Sequence, residues 1–367
     1  MAVLKLVDFF TDSSIKNIYN QCRHDYKSPA NLLGDSNHTP KVTLSKLIRT
    51  EVDLPEINIH SITDAKIIGE RLIICNGEAL KSSFLNKRVA HESAVKRTKD
   101  EDVDVDDKFL SDKFPETKYD KAFWLCGQYG SYQHWFTETL PILSLYNKHY
   151  DDVKSSKIIV GHDIKPYQIA VLKNLGIEEQ NIVRKDKNTN LKFKTLIAAD
   201  NLSLNSFWIH PEIKDAYSEI FSWIKEEPAE YAENIILGRK QLGNVRQVFN
   251  FDTVEKALAD KGYQIIFPED MSFNQKYNCF RNAKKIVSLS GGGLCNVIFS
   301  KPGTAVLAIS PDSFPINSFR DFADIYDLKI TYCLARSFLR FDDMNLNANS
   351  FLTNELIKKI TEEIWTH

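Results

Sequence analysis

His134 and Glu138 stand four residues apart in the run Gln128-Tyr129-Gly130-Ser131-Tyr132-Gln133-His134-Trp135-Phe136-Thr137-Glu138-Thr139-Leu140-Pro141. On a helix that separation puts both on one face, where a carboxylate can orient an imidazole. A positioned imidazole can take a proton from a reacting hydroxyl, the work of a general base. The same spacing also suits an ordinary surface pair. A second constellation is Ser290-Gly291-Gly292-Gly293-Leu294-Cys295-Asn296. Here a β-branched-rich strand runs into three glycines and then a helix. Glycine allows positive φ and close approach of a ligand to the backbone. The helix start offers unpaired N–H groups and the positive end of the dipole to a diphosphate. A tight strand-to-helix turn without a ligand would use the same residues. Arg239 and Arg246 form the third group. Arg239 directly follows an apolar strand and so falls at a sheet's carboxyl end, where its guanidinium could fork onto phosphate oxygens. Both arginines could equally be solvated surface charges.

The elements that must hold these residues alternate regularly from Lys121 onward. Strands are expected over 122–127, 157–160 and 191–199, with helices over 132–149, 166–175 and 211–225; Pro141 should bend the first of these helices. Residues 228–233 look like a boundary. Beyond it come strands over 234–238, 263–267, 285–290 and 305–310. Helices are expected over 252–261, capped by Asp252, over 272–282, with Ser272 and Gln275 as a capping box, and over 294–300. Strands alternating with helices imply parallel, doubly wound sheets. An amphipathic helix over 353–365 closes the chain. Residues 1–110 read as less regular, with a hairpin of strands over 65–70 and 71–76 around Gly69.

With 367 residues, 43% of them hydrophobic and 26% charged, the chain has the length and composition of two ordinary globular domains. A net charge of −2 carries no basic stripe, which excludes a nucleic-acid partner from the reading. No apolar run approaches the roughly 20 residues that span a bilayer, and residues 1–10 lack the features of a signal peptide. The expectation is a cytoplasmic protein, with peripheral association at the inner face of the cell membrane left open. Cys22, Cys75, Cys126, Cys279, Cys295 and Cys333 are scattered without a C-x-x-C pair, so they read as free thiols and not as zinc ligands. The acidic run 100–107 contains Asp-x-Asp, but no apolar strand delivers it, and it reads as a solvated loop with no metal bound. Neither a G-x-S-x-G elbow nor an H-E-x-x-H motif occurs. Gly291-x-Gly293 matches half of a dinucleotide fingerprint, and Asp312 lies about 20 residues on as a ribose-binding acid would. Asn296 stands at the third glycine position, however, and two strand–helix units precede the loop where the fingerprint normally opens its domain.

Together these residues resemble glycosyltransferase family 61, known in bacteria as capsular-polysaccharide-biosynthesis-like proteins. The resemblance runs through His134-Trp135-x-x-Glu138-x-Leu140-Pro141, then Arg239, Arg246 and Asn250, then Pro268-Glu269 and Gln275. It ends with Ser290-Gly291-Gly292-Gly293-Leu294-Cys295-Asn296, Phe299 and Pro302-Gly303. It covers residues 120–312. Three positions depart from the family pattern: Ser290 stands for His, Gly292 for Ala and Cys295 for Thr.

The resemblance implies an α/β fold of the GT-B type, two Rossmann-like domains facing across a cleft. On that plan residues 1–230 form the acceptor-side domain and 231–350 the nucleotide-sugar domain. Residues 351–367 form a helix packing back on the N-terminal domain. It further implies an inverting transferase that needs no metal and no cofactor beyond its nucleotide-sugar donor, a UDP-sugar first. The acceptor would be a glycan or lipid-linked glycan in cell-surface or capsular polysaccharide synthesis. His134 would be the base and Glu138 its orienter, or the converse. Donor contacts would come from Arg239, Arg246, Glu269, Gln275, Ser290, Gly291, Gly292, Gly293, Leu294 and Asn296. The alternatives are a glycan- or nucleotide-binding relative without turnover, kept open by Ser290, and a nicotinamide-dependent Rossmann enzyme.

Overall fold

The computed structural model of the protein describes residues 2–7, 13–27, 30–34, 39, 41–80, 95–97, 102–125, 131–204, 208–224, 231–240, 247–313, 318–338 and 348–363. The chain divides into two compact units. One comprises residues 1–22, 55–204 and 215–224, the other residues 23–54, 205–214 and 225–367.

The first unit is built on parallel strands in the order Asn190–Ala199, Glu116–Trp124, Lys157–Gly161, Ile182–Lys185. Lys157–Gly161 reads Lys-Ile-Ile-Val-Gly, a short continuous apolar run of the kind that central parallel strands need. Antiparallel strands extend the sheet from Asn190–Ala199, which pairs with Ile57–Thr63 and with Lys66–Ile68. Lys66–Ile68 turns at Gly69, whose φ is +55°, into Leu72–Cys75. The antiparallel extension and the parallel strands share one core, in which Ile67 and Ile73 join Ala122, Trp124 and Ile159.

Two expectations for this region change. The described part of residues 1–110 is more regular than expected: Ala2–Val7, Glu78–Leu80 and Asp102–Val105 are paired strands of the same sheet. Within the acidic run, Asp102–Val105 is therefore a strand where a solvated loop was expected. Its Asp-Val-Asp-Val alternation has the strand period of two, and Val103 and Val105 pack with Leu4, Ile68 and Phe109 in a second core. Charge count outweighed periodicity in the sequence reading, and periodicity decides the fold.

The second unit is an open sheet with six parallel strands in the order Gln264–Ile266, Asn234–Leu237, Lys285–Leu289, Ala305–Pro311, Lys329–Ser337, Asn31–Leu33, and the short strand Ser350–Phe351 pairs antiparallel with the end of Lys329–Ser337. In chain order from Asn234, the first five strands lie 2-1-3-4-5, so the order reverses between Asn234–Leu237 and Lys285–Leu289. Ile236, Val287, Leu307, Ile309, Cys333 and Ala335 turn to one face and pack under helix Phe251–Ala259. The short 3-10 helix Gly292–Phe299 packs instead against Phe273–Asn282 and Ser318–Ile325.

The residue ahead of helix Phe251–Ala259 is Asn250, not Asp252; its amide spends itself on Leu352, donating to the carbonyl at 2.8 Å and accepting from the N–H at 2.9 Å. That clamp, with Leu352, Leu356 and Ile360 in the core beneath Phe251, seats the C-terminal helix Asn354–Lys358 in this unit, where packing on the N-terminal domain was the expectation. Residues 23–54, assigned from the sequence to the N-terminal domain, also belong here. Besides the strand Asn31–Leu33, Tyr26 and Arg49 bind Asp321, the tyrosine at 2.9 Å and the guanidinium at 2.9–3.0 Å. Among the described residues no helix is long and apolar enough to cross a membrane.

Candidate functional site

In the first unit, strand Glu116–Trp124 delivers the chain to a helix that starts at Tyr132. The intervening loop residues Gln128, Tyr129 and Gly130 lie outside the described residues. The helix is not uniform. Tyr132–His134 is α-helical, Trp135–Thr139 is a π-turn, and Leu140–His149 is α-helical again. Pro141 explains the change of winding. It has no N–H, so it cannot donate to the carbonyl of Phe136 or of Thr137, and the N–H of Leu140 reaches back to Trp135. The two carbonyls are met from outside the helix, by the hydroxyl of Tyr217 on Phe136 and by Ser203 Oγ on Thr137 at 2.6 Å. The bend expected at Pro141 is thus taken up as a π-turn, a feature that recurs at functional sites.

His134 and Glu138 sit across this turn. His134 Nδ1 and Glu138 Oε1 are 2.9 Å apart. The Glu138 side chain is 3% exposed and that of His134 22%. A buried carboxylate beside a partly exposed imidazole can fix the ring's orientation.

In the second unit Arg239 and the glycine loop follow the carboxyl ends of the two strands where the sheet order reverses. Open α/β sheets bind ligands at such a place. Gly238 follows the first of them, its N–H donating to the Ile266 carbonyl at 2.8 Å. A Cβ there would stand 2.6 Å from the Phe267 ring, so any larger residue requires that ring to move. Arg239 follows, half-buried, and among the described residues it forms no ion pair. Arg246 lies outside the described residues. Lys240 N donates to Glu269 Oε1 at 2.9 Å, and Lys240 Nζ reaches Asp270 at 2.6 Å. Glu269 thus ties down the loop that carries Arg239.

The glycine loop leaves the other strand. Ser290 is buried, its hydroxyl paired with Ser310 on the adjacent strand. Positive φ is not what the glycines supply: Gly291 is extended, at φ 173° and ψ 178°, and Gly292 and Gly293 are not left-handed either. The opening above them is the clearer feature, since a Cβ on Gly291 would meet nothing within 4 Å and one on Gly293 only Pro268 at 4.0 Å. Leu294 is buried and its N–H closes on Gly291 at 3.0 Å. Asn296, fully buried, donates to the Gly293 carbonyl at 2.7 Å and so shapes the loop from beneath. Gln275 completes the capping box with Ser272, at 2.8 and 3.1 Å.

One cation escaped the sequence reading. Lys276 is buried beside Cys295 and Glu269, and burial pushes its ammonium below the ordinary lysine range. Its signal was its place on the apolar face of its helix, in step with Phe273, Tyr277 and Phe280. Asp312, the acid of the dinucleotide alternative, is buried and accepts the N–H of Ser337 at 3.0 Å. Among the described residues no group of three His, Cys, Asp or Glu side chains is placed to hold a metal ion.

The family model of glycosyltransferase 61 matches residues 132–307. The matched span opens at Tyr132, where the helix bearing His134 and Glu138 starts, and closes in the strand after the glycine loop. No match is found among curated proteins. Over residues 132–307 the chain is similar to glycosyltransferase family 61.

Proposed function

We propose that the protein is an inverting glycosyltransferase of the GT-B type. It moves a hexosyl or pentosyl group from a nucleotide-sugar, a UDP-sugar first, to a glycan or lipid-linked glycan. The carrying observation is the family 61 match, whose span holds an oriented His–Glu pair and an open glycine loop at a sheet's reversal point. In the reaction the acceptor hydroxyl gives its proton to His134 Nε2 as its oxygen attacks the anomeric carbon. Glu138 stabilises the positive charge that develops on the ring. The bond from that carbon to the diphosphate oxygen breaks on the opposite side, which inverts the configuration. The departing diphosphate gathers charge, and the N–H groups of Gly292 and Gly293 with the Arg239 and Arg246 guanidinium forks stabilise it. No step needs a metal ion or a further cofactor. The roles of His134 and Glu138 can also be exchanged, with Glu138 as the base. The product would enter cell-surface or capsular polysaccharide, made in the cytoplasm at the inner face of the membrane.

Ser290 favours one second reading, a nucleotide-binding relative without turnover, because its hydroxyl is already engaged by Ser310. Incubation with UDP-, GDP- and CMP-sugars and a panel of glycan acceptors separates the two. Nucleotide release that depends on acceptor, with inverted anomeric configuration by NMR, supports the transferase. Donor binding with no release in any combination supports the second reading.

A further inference from the structure

The carboxyl edge of the second unit's sheet carries an aromatic ledge that the transfer chemistry does not use. Phe338 follows the end of strand Lys329–Ser337, and its ring lies 5.6 Å from Phe249 and 5.3 Å from Phe351. Phe249 is 59% exposed and Phe338 61%. Exposed phenylalanines grouped in this way cost solvation and mark a place where something flat and apolar is received. Their backbone is firmly held: Phe249 N donates to Ser350 at 3.0 Å and Phe338 N to Asn349 at 3.2 Å. The chain neighbours Val248 and Leu352 point into the core under Phe251–Ala259, so the rings of Phe249 and Phe351 project away from it.

The ledge stands at a defined distance from the glycine loop. Leu289 is level with Ile309, and Ile309 with Cys333. At about 4.8 Å between strands and about 3.3 Å per residue, Phe338 lies roughly 10 Å across the sheet and roughly 10 Å farther along it than Gly291. That is the scale of one extended nucleoside diphosphate. The strand between them ends at Pro311, and in the turn that follows the Ser313 hydroxyl accepts from Ser337 Oγ at 2.9 Å. Hydroxyl groups at the middle of the span suit a ribose. In the opposite direction along the edge stands Phe267, but there the intervening loop carries the carboxylates of Glu269 and Asp270, which a diphosphate would have to pass.

We infer that the nucleobase of the donor stacks on the Phe249–Phe338–Phe351 ledge, so that the nucleotide runs from the glycine loop across the end of strand Ala305–Pro311. The inference rests on the donor reading above and gives it a direction. A planar base on an aromatic face gains stacking whatever its hydrogen-bonding pattern. The ledge thus holds a nucleoside generally, and choice among bases falls to other groups.

Calorimetric titration with UDP and with inorganic diphosphate tests it on the wild type and on Phe338→Ala, Phe338→Trp and Phe267→Ala. Phe338→Ala should weaken UDP roughly 5- to 150-fold, the span of one lost base–aromatic stack. Inorganic diphosphate should bind unchanged, and Phe338→Trp should keep UDP affinity. Melting temperature verifies folding, which substitution at so exposed a position should not disturb. Unchanged UDP affinity in Phe338→Ala overturns the inference and leaves the donor reading intact, and loss in Phe267→Ala alone would put the base on the other side. A wild-type protein that binds neither UDP nor diphosphate overturns both.

Discussion

His134 and Glu138 hold each other at 2.9 Å with the carboxylate buried and the imidazole partly exposed. Replacing His134 with Ala should lower kcat by roughly 10²- to 10⁴-fold, the usual scale for a lost general base, with little change in donor Kd. Glu138→Gln should cost less than that if Glu138 orients the ring, and more if it is the base. A His134→Ala protein that melts normally and turns over at the wild-type rate would remove His134 from the mechanism. A second histidine gives a pH forecast. His210 is buried next to His24, its Nδ1 accepts the N–H of Glu212 at 3.3 Å, and burial with the neighbouring imidazole lowers its pKa to about 4. An unfolded histidine titrates near 6.5. Below that pH the unfolded chain takes up a proton that the folded chain refuses, so stability should fall as pH drops from about 6.5 to about 4. His210→Gln should show a shallower fall in melting temperature over that window. Parallel curves for the two proteins would mean that another group governs the loss. At this scale the His–Glu pair was legible from spacing alone. Glu269, Gln275 and Ser290 were legible as positions but not as contacts. Their hydrogen bonds to Lys240, Ser272 and Ser310 shape loops and caps, which residue type cannot reveal.

The π-turn Trp135–Thr139 is where an element, not a residue, sets the site. Pro141 breaks the helix ladder, and two hydroxyls from distant parts of the chain replace what the proline cannot donate. Ser203→Ala leaves the Thr137 carbonyl without that donor in a buried setting and should cost about 1–3 kcal/mol in denaturant unfolding; Tyr217→Phe should cost a similar amount at Phe136. Losses below about 0.5 kcal/mol, the range of ordinary surface changes, would show that the carbonyls find other partners. The sequence announced a disturbed helix through Pro141 but not its form, because the form depends on partners more than 60 residues away. The acidic strand Asp102–Val105 failed for a different reason: charge suggested solvent, while Val103 and Val105 alternated with the period of a strand and became core. The regular strand–helix alternation after Lys121 was the most legible part, since apolar runs, glycine ends and the Ser272–Gln275 box all act locally.

Across the whole molecule, the parallel sheet of the second unit reverses its order between Asn234–Leu237 and Lys285–Leu289, and this assembles Arg239 and the glycine loop from segments 50 residues apart. Sequence order could not show that the two strands are neighbours, nor that Asn31–Leu33 closes the other side of the sheet. Two carboxylates of the acidic run, Asp104 and Asp106, belong to a strand and its following turn in the first unit, where Asp106 caps the N–H of Lys108 at 3.1 Å. Activity should therefore survive EDTA, and the double variant Asp104→Ala with Asp106→Ala should retain near wild-type turnover. Loss restored by Mn²⁺ would assign the run a metal. The proposed donor site is tested most directly by calorimetric titration of the intact protein with UDP, GDP, CMP and NAD. Saturable binding of a nucleoside diphosphate that weakens in Arg239→Ala, with no binding of NAD, is the expected result. Tight NAD binding with no response to UDP, GDP or CMP would contradict it.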